Sequence, residues 1–117
     1  MGAEATETPA AYPVVTDTLL AEVVRRIVAV GQAERVVLFG SRARGQARPD
    51  SDLDLLIVEN SPLPRYKRSA RYYEVLAGVF PAKDIVVWTA REIDEWTNVP
   101  NHFVTVALRE GRVLYAR

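Results

Sequence analysis

The chain has 117 residues, of which 49% are hydrophobic and 26% are charged, and its formal net charge at pH 7 is zero. This length and composition are typical of one globular domain with a core of its own. The sequence has no cysteine and one histidine, His102, which excludes a disulfide framework, a thiolate metal site and a zinc cluster built on histidines. A net charge of zero gives no electrostatic reason to expect a nucleic-acid or membrane partner.

The N-terminal stretch MGAEATETPAAYP lacks the basic and apolar regions of a signal peptide. No apolar run reaches the roughly 20 residues that a membrane-spanning helix needs. We therefore expect a cytoplasmic protein with a flexible leader over residues 1–13 and a single domain over 14–117.

Apolar residues at helical spacing predict a first helix over 16–31, with Thr16 or Asp17 as its N-cap and Gly31 just after its end. Its predicted apolar face is formed by Leu20, Val23, Val24, Ile27 and Val28.

Short apolar runs predict strands, and longer periodic runs predict helices. The predicted strands are 35–40, 51–59, 83–89 and 112–116. The predicted helices that follow the first one are a short turn at 41–45 and then 66–80, 91–96 and 101–111. In the last of them Phe103, Val106 and Ala107 are expected to face inward. This order predicts an α/β or α+β sandwich, in which helices flank a small mixed sheet.

Two carboxylates interrupt the start of the second predicted strand, where an apolar residue would be less costly. Side chains alternate along a strand, so Asp52 and Asp54 point to the same face, with Cα atoms about 6–7 Å apart. Two such charges in a partly buried site repel by roughly 2–4 kcal/mol at an effective dielectric constant near 20. A bound divalent cation relieves this repulsion, and Mg²⁺ prefers carboxylate and phosphate oxygens.

Gly40 and Ser41 end the first predicted strand abruptly. If a helical turn begins there, its free N–H groups can bind phosphate, and Ser41 can cap the turn and contact a phosphate oxygen. Arg42 and Arg44 add positive charge, although a solvated helical face explains them equally well. This turn and the carboxylate pair together indicate a nucleoside triphosphate bound with Mg²⁺.

Asp84, at the start of the third predicted strand, supplies a third carboxylate. Two-metal phosphoryl-transfer sites need carboxylates that bridge both ions and one more for the ion that activates the nucleophile. We therefore predict that Asp52 and Asp54 bridge two Mg²⁺ ions and that Asp84 binds the catalytic ion.

Basic and aromatic residues alternate in the stretch PRYKRSARYYEV, which contains Arg65, Lys67, Arg68 and Arg71. Such a mixture can bind nucleic acid. A solvated helix face whose tyrosines pack inward is the favoured interpretation, and an acidic partner or ATP is the favoured ligand if the stretch is functional.

The spacing of Gly40-Ser41, ten residues, and then Asp52-Leu53-Asp54 resembles the signature of the DNA polymerase β-type nucleotidyltransferase superfamily. The stretches FGSRARG, SDLDLLIV, KDIVV and ALREGRVLY are similar to the minimal nucleotidyltransferase (MNT) family, with a resemblance that covers about 17–117. The resemblance implies a polymerase β-like fold and AMP transfer from ATP. It also implies a role as an antitoxin that modifies a tyrosine of a partner HEPN-domain RNase toxin.

Three other functions stay open at this point. The chain could neutralise a toxin by steric binding alone, or it could modify a small molecule such as an aminoglycoside. The absence of room for an acceptor-binding domain argues against the small molecule. Addition to nucleic-acid ends is less favoured, and no direct nucleic-acid partner is expected. A homo-oligomer is also open, because small domains with an exposed strand edge can pair through it.

Overall fold

The structure is a computed structural model that describes residues 14–117, and the predicted leader over 1–13 lies outside the described residues. Helices and strands alternate in the predicted order, which confirms a mixed α/β fold with a small sheet flanked by helices. The elements are α1 (Asp17–Ala29), β1 (Ala33–Phe39), α2 (Gly40–Ala43), β2 (Leu53–Glu59), a 3-10 helix (Arg65–Lys67), α3 (Ala70–Val75), β3 (Lys83–Trp88), α4 (Ala90–Trp96), α5 (Phe103–Glu110) and β4 (Arg112–Ala116).

The four strands form one mixed sheet in the order β3-β2-β1-β4. Strand β1 pairs antiparallel with both β2 and β4, whereas β2 and β3 are parallel. A parallel pair requires a long crossover, which the 3-10 helix and α3 provide here. The N-terminal ends of β2 and β3 therefore lie beside the C-terminal end of β1, at one end of the strands.

Helices cover both faces of this sheet. Leu53, Leu55 and Ile57 of β2 belong to a core cluster that includes residues of α1 and α3. Leu56 and Val58, which alternate with them, belong to a second cluster that includes residues of α4 and α5. Burial on both faces explains why β2 is almost continuously apolar after its first residues.

Helix α1 begins as predicted. The Thr16 hydroxyl oxygen accepts a hydrogen bond from the Leu19 backbone N–H at 3.1 Å, which confirms Thr16 as the N-cap. The buried residues of the predicted apolar face are Leu20, Val23 and Ile27, whereas Val24 and Val28 are only partly buried.

The helix predicted over 66–80 is wrong in extent, because α3 covers only Ala70–Val75. The segment before it turns around the buried Arg68, whose guanidinium donates to the carbonyls of Leu63 at 2.8 Å and Val87 at 3.3 Å. Gly78, at a φ of +81°, ends the segment in a left-handed conformation.

A buried polar network joins α3 to the end of β2. The Glu59 carboxylate is fully buried and accepts hydrogen bonds from the Tyr72 hydroxyl and the Arg71 guanidinium. Burial, and then the hydrogen bond to Glu59, raise the pKa of the Tyr72 hydroxyl. This network fixes the crossover relative to the centre of the sheet.

Arg68 is also paired with Glu92 of α4, at 2.6 Å and 3.2 Å to its two oxygens. The hydrogen bond from Arg68 is the main reason why the pKa of Glu92 is lowered. A lowered folded-state pKa stabilises the fold above the unfolded-state pKa, and this contribution disappears as the pH falls through the folded-state value.

We therefore predict that Glu92→Gln lowers the free energy of unfolding at pH 7 by about 1–3 kcal/mol. The wild type should lose this advantage as the pH falls below about 4.5, which thermal unfolding between pH 7 and pH 3 would measure. Glutamine keeps the capping geometry at this position, so the difference isolates the charge. Glu95→Gln, in an exposed pair on the same helix, is the control and should change stability by less than about 0.5 kcal/mol. Equal effects of the two substitutions would contradict the prediction.

None of the helices in the described part of the chain has the length and hydropathy that crossing a membrane requires.

Candidate active site

The structure brings Asp54 and Asp84 together. They are directly opposite each other in the parallel pairing of β2 with β3, and neighbouring strands lie about 4.8 Å apart. Asp52 immediately precedes β2 and is exposed. Burial, and then the charges of Asp84 and Asp52, raise the pKa of the Asp54 carboxyl. The charges of the other two predicted carboxylates thus act on Asp54, and we call these three residues the acidic cluster.

Gly40 packs against this cluster. It follows Phe39, the residue of β1 that pairs with Asp54, and it has a φ of +74°. A Cβ atom at this position would overlap Asp54 Oδ2 and lie 3.0 Å from Asp54 Cγ. The turn that was predicted to bind phosphate therefore lies in direct contact with the central carboxylate, and only glycine fits there.

The prediction that Ser41 caps the following turn is wrong. Helix α2 begins one residue earlier, at Gly40, and its N-cap residue Phe39 makes no side-chain capping bond. Within residues 14–117 the Ser41 hydroxyl makes no hydrogen bond. A contact between Ser41 and phosphate stays a prediction.

Arg42 and Arg44 lie near the carboxylates, and their charges partly offset the raised pKa of Asp54. The Arg42 guanidinium donates to the Ser51 carbonyl at 2.7 Å and 3.1 Å, so it holds the connection between α2 and β2. The Arg44 guanidinium donates to Gln46 at 3.0 Å and lies 3.7 Å from Glu110. Arg42 therefore positions the loop between α2 and β2. Arg44 is the more exposed of the two arginines.

The donor chemistry of this cluster fits a divalent cation. Carboxylate oxygens are hard ligands of the kind that Mg²⁺ prefers. Asp54 and Asp84 repel each other across neighbouring strands. A cation bound between them would attract both carboxylates and outweigh this repulsion. Within residues 14–117, no three Asp, Glu, His or Cys side chains are already arranged as a metal cage. The binding of a metal would have to draw the carboxylates together.

Two cavities lie beside the strands that carry the carboxylates. A smaller cavity of about 350 Å³ is lined by Phe39, Gly40 and Arg44, on the side of the phosphate turn. A larger cavity of about 790 Å³ runs along the outer edge of β3, where Val86 and Trp88 line it. Neither cavity is lined by Asp52, Asp54 or Asp84. The smaller one is lined by Gly40, which packs against Asp54, and the larger one by Val86, which lies two residues after Asp84.

Phe103 lines both cavities. It was predicted to face inward, but it is 39% exposed, so this prediction is wrong. Its ring packs edge-on against Phe39, with the ring centroids 5.1 Å apart. Of the other two residues predicted to face inward, Ala107 is buried and Val106 is partly buried, and α5 also buries Val104. A position at the very start of a helix explains the difference, because such a residue lies at the margin of the packed face.

The larger cavity is lined by Arg65, from the basic and aromatic stretch noted in the sequence, and by Val86 and Trp88, which were not among the predicted site residues. The Arg65 guanidinium lies over the Trp88 ring, 4.0 Å from the ring centroid. The alternation of side chains along β3 places Val86 and Trp88 on the same face as Asp84, which is a signal that could have identified them.

Comparisons with known proteins agree with this geometry. The family model described as a nucleotidyltransferase domain matches residues 19–114. Among proteins with curated descriptions, none matches this chain. A protein of Sulfolobus solfataricus described as a candidate nucleotidyltransferase is 24% identical, with a TM-score of 0.61, over 86% of this chain and 79% of that one.

Two further solved structures share the fold. One is described as a toxin–antitoxin with AMP-PNP (15% identity, TM-score 0.57, 88% of this chain and 75% of that one). The other is a mutant of the toxin–antitoxin MntA-HpeT (14% identity, TM-score 0.58, 84% of this chain and 73% of that one). The family match covers most of the sequence and includes all three carboxylates and the glycine turn, and the chain therefore belongs to the nucleotidyltransferase domain family.

Proposed function

We propose that this protein transfers AMP from ATP to a hydroxyl group in a reaction that depends on Mg²⁺. The observation that carries the proposal is the direct pairing of Asp54 with Asp84, with the glycine of the predicted phosphate turn packed against Asp54. The acceptor in this proposal is a tyrosine of a HEPN-domain toxin, so the protein acts as an antitoxin in the cytoplasm. Its resemblance to MNT proteins and its structural likeness to toxin–antitoxin proteins support this part.

Each residue of the site has a role in this proposal. Asp52, Asp54 and Asp84 would hold two Mg²⁺ ions, which supply charge neutralisation and activation of the nucleophile when bound. Gly40 and Ser41 bind the β- and γ-phosphates, and Arg44 contributes positive charge beside them. Asp84 orients the acceptor hydroxyl and helps to remove its proton.

The reaction is an in-line displacement. The acceptor oxygen forms a bond to the α-phosphorus of ATP, while the bond between that phosphorus and the oxygen that leads to the β-phosphate breaks. Pyrophosphate leaves on the side of Gly40 and Ser41. The acceptor proton passes through the Asp84 carboxylate to solvent, so the product is an AMP ester of the acceptor.

Intact-mass spectrometry tests this proposal. The product of the neighbouring gene would be incubated with this protein, ATP and Mg²⁺, and the doubly substituted variant Asp52→Asn/Asp54→Asn would be run in parallel. We expect a gain of one or more AMP masses with the wild type only. A stable complex of the two proteins without any gain in mass would contradict transfer and favour neutralisation by steric binding.

A further inference from the structure

We propose that Arg42 is a positioning residue for the metal site: its guanidinium holds the backbone that carries Asp52 and so sets where the Asp52 carboxylate meets a divalent cation. The inference rests on the proposed function, in which Asp52 is one of the metal ligands. It deepens that function by giving Arg42 a role other than contact with phosphate.

The position of the Asp52 carboxylate depends on the backbone that carries it. Within residues 14–117 this carboxylate accepts no hydrogen bond and forms no ion pair. Asp52 is exposed and immediately precedes β2, so it also lies outside the paired part of the strand. A carboxylate of this kind is held in place for a metal ion only when the main chain on both sides of it is fixed.

Arg42 fixes the main chain on the N-terminal side of Asp52. Its guanidinium donates to the Ser51 carbonyl oxygen through Nη2 at 2.7 Å and through Nε at 3.1 Å, and Nη2 also lies 3.4 Å from the Pro49 carbonyl oxygen. The peptide bond is planar, so the Ser51 carbonyl oxygen and the Asp52 Cα lie in one rigid plane. Holding that oxygen therefore restricts the atom from which the Asp52 side chain starts.

Other backbone contacts hold the residues on either side of Asp52. The Ser51 N–H donates to the Arg48 carbonyl at 3.0 Å, and the Arg48 N–H donates to the Ser51 hydroxyl oxygen at 2.8 Å, which closes a tight turn. On the C-terminal side, the Leu53 N–H donates to the Ala82 carbonyl at 2.9 Å. Asp52 is thus held between a contact from α2 and a contact from the segment that leads into β3.

The contact with Ser51 requires an arginine. A guanidinium presents its N–H groups in a rigid planar fork, and two of them converge here on one oxygen, whereas a lysine ammonium is a point charge on a flexible stem. Arg42 also belongs to α2, whose first residue, Gly40, packs against Asp54. The same short helix therefore acts on two carboxylates of the acidic cluster, on one through Gly40 and on the other through Arg42.

Arg42→Lys separates this role from a direct contact with phosphate, because it keeps the positive charge and removes the fork. Partners that orient a metal ligand typically change metal affinity by about 10-fold or more when they are lost. We therefore expect the affinity for a divalent cation to fall even when no nucleotide is present. A contact with phosphate alone would leave that affinity unchanged.

Binding of Mn²⁺ alone, followed by the electron paramagnetic resonance signal of the free ion, tests the inference without turnover. Mn²⁺ prefers the same oxygen ligands as Mg²⁺. Arg42→Lys should raise the Kd of Mn²⁺ by about 10-fold. Arg48→Lys makes the same change on an exposed side chain of the same loop and should leave the Kd within about two-fold. Both variants should unfold in EDTA within a few degrees of the wild type, so a loss of Mn²⁺ binding would not reflect a loss of the fold.

AMP transfer to the product of the neighbouring gene adds a kinetic readout. Arg42→Lys should raise the free Mg²⁺ concentration at half-maximal rate by about 10-fold. At saturating Mg²⁺ its rate should return to within about three-fold of the wild-type rate, because excess cation compensates for a weaker site.

The two measurements distinguish failure of the inference from failure of the proposed function. Unchanged Mn²⁺ binding in Arg42→Lys, or a raised KM for ATP that persists at saturating Mg²⁺, would overturn the inference and leave the function in place. Mn²⁺ binding that depends on Arg42 in a protein that transfers no AMP would support the positioning role and count against the function. A wild type that binds no Mn²⁺ would overturn both.

Discussion

Replacing Gly40 by alanine is expected to reduce AMP transfer by about 100-fold or more, a loss of the size seen when a transition-state contact is removed. The added Cβ would overlap Asp54 Oδ2, so either the carboxylate or the turn must move. Both are predicted to contact ATP or its metal ions, and a small displacement there costs much of the rate. The measurement is the initial rate of pyrophosphate release with Mg²⁺ and the acceptor protein.

Gly45→Ala is the matched control for this variant. Gly45 has a φ of +71°, close to the +74° of Gly40, but an added Cβ would meet nothing within 4 Å. Both substitutions carry the backbone strain of a left-handed alanine, about 1–2 kcal/mol. Only Gly40→Ala adds the overlap with Asp54. Equal losses of activity in the two variants would show that backbone strain, rather than the contact with Asp54, is responsible.

Asp54→Asn is expected to have opposite effects on activity and on stability. Transfer should fall by a factor of at least about 100, because the variant loses a carboxylate that is predicted to hold both ions. Without divalent cations, however, the variant should unfold at a temperature a few degrees higher than the wild type. Burial and the charges of Asp84 and Asp52 disfavour an ionised Asp54 in the folded state, and asparagine removes that cost.

Addition of Mg²⁺ should reverse this order. A ligand that binds only the folded state stabilises it by an amount that grows with the ligand concentration. The wild type should gain unfolding temperature as Mg²⁺ is added, and Asp54→Asn should gain little. Asp50→Asn, at an exposed position that lies 3.8 Å from Arg48, should behave like the wild type in both conditions. A variant at position 54 that is less stable than the wild type without Mg²⁺ would show that the carboxylate has a structural role instead.

The order of the elements could be predicted from the sequence, because it depends on local signals. Thr16 begins α1 as expected, and the apolar runs of β1 and β2 are long enough to be unambiguous. The extent of α3 could not be predicted in this way. The position of Arg68 depends on carbonyls and a carboxylate from three different segments, and a helical pattern in the sequence does not show these contacts.

The members of the acidic cluster could be proposed from the sequence, but its geometry could not. The register that places Asp84 opposite Asp54 is set across a parallel pair whose strands are far apart in the chain. The contact between Gly40 and Asp54 depends on the same three-dimensional pairing of β1 with β2. The exposed position of Phe103 follows from where α5 begins relative to the sheet.

The pairing order of the strands also has a consequence for the timing of assembly. Strands β1 and β2 are joined by residues 40–52, whereas β2 and β3 are separated by the longer crossover 60–82. The entropy lost on closing a loop increases with its length, so the β1–β2 pair can close at a lower cost than the β2–β3 pair. A partly folded molecule that has formed only the first pair already has the glycine turn beside Asp54, but it has no Asp84 opposite. Competence for the proposed transfer therefore requires the long-range pairing of β2 with β3 in addition to the more local pairing of β1 with β2.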